Sequence, residues 1–440
     1  MRTEGKAGAS AVRASILHFV ADPAEAGEAA AEYFDDGLLI LADGKVAALG
    51  PSDALLPGLP EAVKLIDRRG HLLMPGFIDT HIHYPQTDII ASHGAQLLDW
   101  LNTYTFPAER RFEDVAVARE SAGFFCDELL RNGTTSALCF ATVHPQSVDA
   151  IFEAAAERNM CMLAGKVMMD RHAPDFLTDT AESSYRDSKA LIERWHGRGR
   201  ALYAVTPRFA PTSSERQLEL AGRLLEEHPG VYLQSHVAEN RDEVAWVAEL
   251  FPWARSYLDV YDHFGLLRPK AIYAHCIHLD AADRERMAAS GAAMAFCPTS
   301  NLFLGSGLFD LEAAGAFGVK VGLATDVGGG TSFSMLQTLN EAYKVAQMAG
   351  QNLSPWRAFY LATLGSARAL ELEQRIGNLA PGCDADFVLL DLAATPLMAR
   401  RMEKAGNLAE RLFALMMLGD DRAVAESYVA GVCRHVRCRP

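Results

Sequence analysis

From residue 72 onward the 440-residue chain repeats one pattern, a short apolar run followed by an amphipathic stretch. The apolar runs fall at 72–80, 134–140, 162–168, 202–206, 231–235, 271–274, 292–296 and 321–324, and helical spacing marks stretches such as 114–130, 146–158, 214–227 and 335–348. Eight strand-then-helix units in order predict a parallel (β/α)8 TIM barrel. Other β signals flank the barrel. A hairpin is expected at 38–49 around Asp43-Gly44, and after a helical region at 355–372 strands return at 386–391 and 427–436, the latter turning at Ala430-Gly431. A closed eight-strand barrel has no place for these strands. Residues 1–70 and 375–440 are therefore expected to form the two parts of one small β-sandwich-like domain, with the barrel at 71–374.

Composition narrows the function classes. With 50% hydrophobic and 22% charged residues the chain is globular, which excludes disorder, collagen and fibre. A net charge of −15 without like-charge blocks disfavours nucleic acid and anionic membranes as partners. The longest uncharged stretch, 287–309, contains Pro298, Asn301 and three glycines and does not read as a membrane helix. The only apolar run near the start, 14–21, is broken by His18 and is not a signal peptide. The expected compartment is the cytoplasm, where eight cysteines stay reduced.

Chemistry concentrates at the expected strand ends. In Pro75-Gly76-Phe77-Ile78-Asp79-Thr80-His81-Ile82-His83 the two histidines share a strand face, so both imidazoles point into the barrel mouth and can share a metal. His236, His275 and Asp326 follow later runs, on the face where barrels of this type carry their active sites. Imidazoles with one carboxylate suit Zn2+ and leave a position for water; Cys276 and Cys297 form no Cys-x-x-Cys pair that would close a structural site. His278 competes with His275, but the strand-end position favours His275. Glu239, three residues after His236, can reach beside the metal without binding it, as a catalytic carboxylate.

These motifs resemble the amidohydrolase superfamily, and from about residue 70 to 390 the chain is similar to its guanine deaminase family. The resemblance rests on His83-Tyr84-Pro85-Gln86, Leu98-Asp99-Trp100-Leu101, Tyr104-Thr105-Phe106-Pro107-Ala108-Glu109, Thr206-Pro207-Arg208-Phe209, Ser235-His236-Val237-Ala238-Glu239-Asn240-Arg241-Asp242-Glu243 and Thr325-Asp326-Val327-Gly328-Gly329-Gly330. It implies zinc-dependent hydrolytic deamination of guanine to xanthine and ammonia, in purine catabolism, by a homodimer. It further implies one zinc per chain on His81, His83, His236, His275 and Asp326, with Glu239 and Asp326 catalytic. Gln86, Arg208 and Phe209 would meet the purine, together with His83, His236, Glu239 and Asp326. Water activated by zinc would attack C2, with Asp326 accepting a proton and Glu239 protonating the adjacent ring nitrogen. The arginine fork of Arg208 matches the adjacent O6 and N7 acceptors of guanine.

Residues 84–109 are expected to be a long loop that covers the site and contributes to a dimer surface, with Trp100 also explicable as packing. Lys166 reads as structural or supporting, because a single-metal site needs no bridging lysine. Cys433-Arg434-His435-Val436-Arg437-Cys438 reads as a solvated tail, and Gly328-Gly329-Gly330 as backbone passing close to ligand or metal. Two alternatives stand beside this one. The first is an enzyme acting on another amino-heterocycle on the same fold, such as 8-oxoguanine, a thiolated adenosine or a triazine; the second is a metal-free scaffold protein.

Overall fold

The computed structural model describes residues 9–94 and 96–438. Before the barrel come β1 (Ser10–Phe19), β2 (Ala31–Ala42), β3 (Lys45–Pro51) and β4 (Lys64–Pro75). The barrel contains β5 (Phe77–His83), β6 (Thr134–Phe140), β7 (Cys161–Gly165), the short β8 (Val167–Met168), β9 (Ala201–Pro207), β10 (Tyr232–Val237), β11 (Ala271–His275), β12 (Ala293–Phe296) and β13 (Lys320–Leu323). The chain ends with β14 (Phe387–Leu390), β15 (Val424–Val429) and β16 (Val432–Val436).

Barrel strands run parallel in the order β5-β6-β7-β9-β10-β11-β12-β13, with β8 paired to β9. Every residue of β5, β6 and β7 is buried; β7 is accordingly an apolar run, while β5 also buries Asp79, Thr80, His81 and His83, and β6 Thr134, Thr135 and Ser136. Ile78, Leu138, Leu163, Ile272 and Ala295 fill the interior, while a larger core lies between the strands and the helices. The seam between β5 and β13 is closed by the Thr80 hydroxyl, which donates to the Leu323 carbonyl at 3.0 Å. Gly322 makes that approach possible, since a Cβ there would lie 2.4 Å from Thr80 Cγ2. Just above, Asp326 N donates to His81 O at 3.0 Å and His83 N to Val327 O at 2.8 Å. The last barrel strand thus delivers its acidic residue to the two histidines of the first.

The flanking strands form one seven-stranded sheet in the order β16-β15-β14-β4-β1-β2-β3. Its two ends meet: Ala385 N donates to Gly44 O at 2.9 Å, at the β2–β3 turn, and Gly431 N to Ala385 O at 2.8 Å, at the β15–β16 turn. The sheet therefore curls around its own core of Val12, Ile16, Leu39, Leu73, Phe387 and Leu389.

Several expectations need correction in detail. The single run expected at 72–80 is two strands: β4 ends in the chain-end sheet and β5 begins the barrel, with Gly76 between them. A Cβ at Gly76 would lie 2.2 Å from Thr135 Oγ1, so the crossing point demands glycine. The run at 162–168 is interrupted at Lys166. Residues 84–109 are not an open loop: they contain a 3-10 turn (Tyr84–Ile89), a helix (Leu97–Trp100), a π-helical turn (Leu101–Thr105) and most of a further helix (Phe106–Arg110). The stretch read as purely β after 375 also holds helices at Pro396–Met402 and Leu408–Leu418, the second tied to the Met335–Met348 helix by Asn340 Nδ2 donating to Met417 O at 2.9 Å. The strand signal expected at 427–436 is the pair β15 and β16 joined at Ala430-Gly431, and within the stretch read as a solvated tail Cys433, Arg434, Val436 and Cys438 are exposed, although 433–436 belongs to the edge strand β16.

Candidate metal and substrate site

Two-residue periodicity on β5 places His81 and His83 side by side, with their Nε2 atoms 3.1 Å apart. His236, near the end of β10, brings its Nε2 to 3.3 Å from that of His83. His275 closes β11, and Asp326 follows β13; both have left-handed backbone, at φ 71° and 51°. Such angles are unfavourable for residues with a side chain and here turn both toward the barrel axis. Asp326 Oδ1 lies 3.2 Å from His81 Nε2 and 3.3 Å from His83 Nε2, and Oδ2 lies 3.8 Å from His275 Nε2. Two overlapping groups, His81-His83-His236 and His81-His275-Asp326, each have ligand atoms within 4.8 Å of one another. All five expected ligands therefore converge.

Their surroundings prepare neutral donors. His236 Nδ1 lies 2.6 Å from the Arg208 carbonyl oxygen, and His275 Nδ1 lies 2.9 Å from Asn301 Oδ1. A proton on each Nδ1 satisfies these contacts and leaves the Nε2 lone pairs facing the cluster, the arrangement a metal-ligating histidine needs. Burial pushes the affinity of His83 for a proton down to about 3 and lowers those of His81 and His236 as well. Burial alone would raise Asp326, but His81, His83 and His275 outweigh it and hold the carboxyl well below its usual range. Convergent neutral imidazoles and one ionised carboxylate form a donor set that fits a divalent cation.

Glu239 lies on the other side of the cluster, with Oε2 3.4 Å from His275 Nε2, while the Ser306 hydroxyl donates to Oε1 at 3.0 Å. Burial, then the charge of Asp326, pushes Glu239 up to about 8, partly offset by Ser306. The two carboxyls thus have opposite proton affinities a few ångströms apart. The Glu239 backbone is fixed by Glu243, whose Oε2 accepts from Glu239 N at 2.9 Å and Asn240 N at 3.1 Å. Tyr257 Oη donates to the other Glu243 oxygen at 2.7 Å.

The same pocket is lined by Gln86, Trp100, Arg208, Phe209 and Leu304. Arg208 follows β9 and is 3% exposed; its Nη1 donates to both oxygens of the buried Glu109, at 2.9 and 2.8 Å. Gln86 Nε2 donates to Glu109 Oε1 at 3.2 Å, and Gln86 Oε1 accepts from Gly328 N at 3.3 Å. The glycine run does bring backbone close: a Cβ at Gly328 would lie 2.8 Å from Gln86 O, and one at Gly330 1.8 Å from Thr325 O.

Gln86, Arg208, Phe209 and Glu239 therefore line one pocket with His83, His236, His275 and Asp326, while His81 lies behind it at 1% exposure. His278 stands apart, its Nε2 3.1 Å from Ser306 O. Lys166 is buried and paired with Asp179. Sequence reasoning assigned no role to Asp79, Glu109, Glu243, Asn301 or Ser306. Asp79 accepts from His81 N and Thr325 N at 3.2 Å; a register shift between Asp79 and Ile82 takes it off the face of His83, so two-residue periodicity did not mark it. Glu243 was findable from Asn240-x-x-Glu243, the spacing of a capping box. Ser306 has no comparable local signal.

Comparison with known proteins agrees with this geometry. Residues 72–433 match the family model described as Amidohydrolase family. A guanine deaminase from Escherichia coli K12 is 53% identical over 423 residues, covering 96% of each chain. A solved structure of E. coli guanine deaminase superposes with a TM-score of 0.96 over 98% of this chain and 100% of that one. A guanine deaminase from C. acetobutylicum, solved with guanine bound in the active site, is 29% identical with a TM-score of 0.87, covering 97% of this chain and 100% of that one. By its barrel, its convergent ligands and these similarities, the chain belongs to the amidohydrolase family.

Proposed function

We propose that this chain hydrolyses guanine to xanthine and ammonia, a step of purine catabolism, using one zinc held by His81, His83, His236, His275 and Asp326. The observation that carries the substrate assignment is Arg208. Its Nη1 is bonded to Glu109, and among the described residues Nη2 and Nε have no protein partner, which leaves a pair of donors for two adjacent acceptors such as O6 and N7. Phe209 offers a ring face for stacking. The guanine deaminases above, one of them solved with guanine bound, support the same substrate.

A zinc ion held by His81, His83, His236, His275 and Asp326 would lower the pKa of water to about 7 and so make hydroxide available at neutral pH. Asp326, ionised in its site, accepts the proton of the attacking water. Glu239, which holds its proton at neutral pH in the metal-free site, delivers one to the ring nitrogen beside C2 and makes that carbon electrophilic. A carboxyl then returns a proton to the amino group as ammonia leaves. Opposite proton affinities in neighbouring carboxyls suit this division of acid and base.

Ammonia release from a panel of aminopurines, aminopyrimidines and triazines tests the substrate, and elemental analysis after dialysis tests the metal. Guanine as the preferred substrate with about one zinc per chain is expected; preference for another heterocycle, or full activity without metal, overturns the proposal. We further propose that 71–374 is the catalytic unit, with 1–70 and 375–440 as one supporting unit. A homodimer using the surface of residues 84–109 and a cytoplasmic setting complete the proposal. Sedimentation at micromolar concentration checks the dimer. All eight cysteines are unpaired, and no described helix is long and apolar enough to cross a membrane.

A further inference from the structure

Glu109 is 1% exposed, Gln86 2% and Arg208 3%, and the three form one hydrogen-bonded chain of which Gln86 and Arg208 line the pocket. Both oxygens of Glu109 are spent on a single guanidinium nitrogen, at 2.9 and 2.8 Å, and the ring of Phe106 lies 5.5 Å from the guanidinium carbon. The fork is thus held from one edge and from one face, with its other edge turned to the pocket. The Gln86 amide is fixed in the same way, its nitrogen toward Glu109 and its oxygen toward Gly328 N.

On the reading of the substrate given above, we infer that Glu109 is a positioning residue that sets purine specificity, by holding Arg208 and Gln86 in one hydrogen-bonding orientation. An arginine on a flexible stem could turn aside to admit a purine that carries an amino group in place of O6. Glu109 removes that freedom, so donor meets donor and the wrong purine leaves buried groups unpaired. A buried ion pair is weak evidence for stability and is better explained by the orientation it imposes. Glu109 itself need not touch the substrate.

The test compares guanine with 2,6-diaminopurine, which keeps the reacting amino group at C2 and replaces O6 with an amino group. The unaltered chain should prefer guanine by about 10⁴-fold in kcat/KM, as expected where a site hydrogen-bonds a specific acceptor. Glu109→Gln should lower kcat/KM for guanine by about 10²-fold, mainly through KM, and reduce the preference by at least about tenfold at unchanged metal content. Glu109→Asp keeps the charge but draws it back by one methylene; it serves as the folded variant if the amide is unstable and should shift the preference in the same direction. Equal losses on both purines would mean that Glu109 merely supports the fold, and unchanged kinetics would show that it has no role; either overturns the inference. If the unaltered chain turns over guanine yet the variants keep full selectivity, only this inference fails. If the unaltered chain does not deaminate guanine, the proposed function fails with it.

Discussion

Arg208 serves the site at both ends of its residue. Its backbone carbonyl faces His236 Nδ1 at 2.6 Å, so it helps orient a proposed metal ligand, while its side chain lines the pocket. Arg208→Lys leaves the carbonyl in place and removes the fork, so metal content should be unchanged while kcat/KM for guanine falls by about 10²-fold, the cost of charge-assisted hydrogen bonds lost at a buried site. Full activity in the lysine variant would refute the recognition role. Glu239→Gln makes the complementary separation. The amide keeps the shape and the Ser306 contact but cannot shuttle a proton, so kcat should fall by about 10²- to 10⁴-fold with metal retained. His81→Ala should instead lose metal and activity together, as elemental analysis alongside the ammonia assay would show.

At the scale of elements, Gly76 marks where the chain leaves one sheet for the other. An added Cβ there would lie 2.2 Å from Thr135 Oγ1 and 2.9 Å from Thr135 Cβ, so rotating the threonine cannot clear it. Gly76→Ala should destabilise the protein by about 1–3 kcal/mol, read as a lower urea midpoint; an unchanged midpoint would show that the crossing tolerates a side chain. The break at Gly76 was invisible in the sequence because Leu72, Leu73 and Met74 are as buried as Phe77 and Ile78, and apolarity alone does not say which sheet a residue joins. The barrel runs were legible because a parallel strand buried on both faces is mostly apolar; β5 departs from this where it carries Asp79, Thr80, His81 and His83. The ligands were legible because they sit at the ends of those strands. Glu109 was not, since its partner Arg208 lies 99 residues away, on another side of the barrel mouth, and only the closed fold brings them together.

For the whole molecule, the pocket concentrates groups whose protons depend on the fold, and stability should therefore depend on pH in a way that metal changes. Burial pushes Glu239 up to about 8, and Glu243 and Asp79 up to about 7. In the unfolded chain such carboxyls titrate near 4, so above that pH the folded metal-free protein binds more protons than the unfolded one and stability falls as pH rises. The histidines act the other way. His83, pushed down to about 3, and His81 and His236, also lowered, stay neutral when folded, whereas unfolded imidazoles take up protons below about 6.5. Their contribution, with that of His18, His144, His196, His278 and His435, which burial also lowers, rises with pH through that point and is complete about one unit above it, and that of Asp326, held low, is complete above about 5. Above about pH 7.5 the histidines no longer contribute, and the raised carboxyls, Glu239 most of all, carry the slope, up to about 1.4 kcal/mol per pH unit for a carboxyl that stays protonated only in the fold. The window also ends below the range where unfolded thiols ionise near 8.5 while buried Cys126 is held up to about 12. Chelator-treated protein should therefore lose stability from about pH 7.5 to 8 in urea denaturation. Loaded protein should be more stable throughout and show a shallower decline, because a bound cation favours the ionised forms of nearby carboxyls and binds only the fold. A metal-free stability that rises across this interval would mean that the buried carboxyls are already ionised, and the assignment of Glu239 as the proton donor would fall with it.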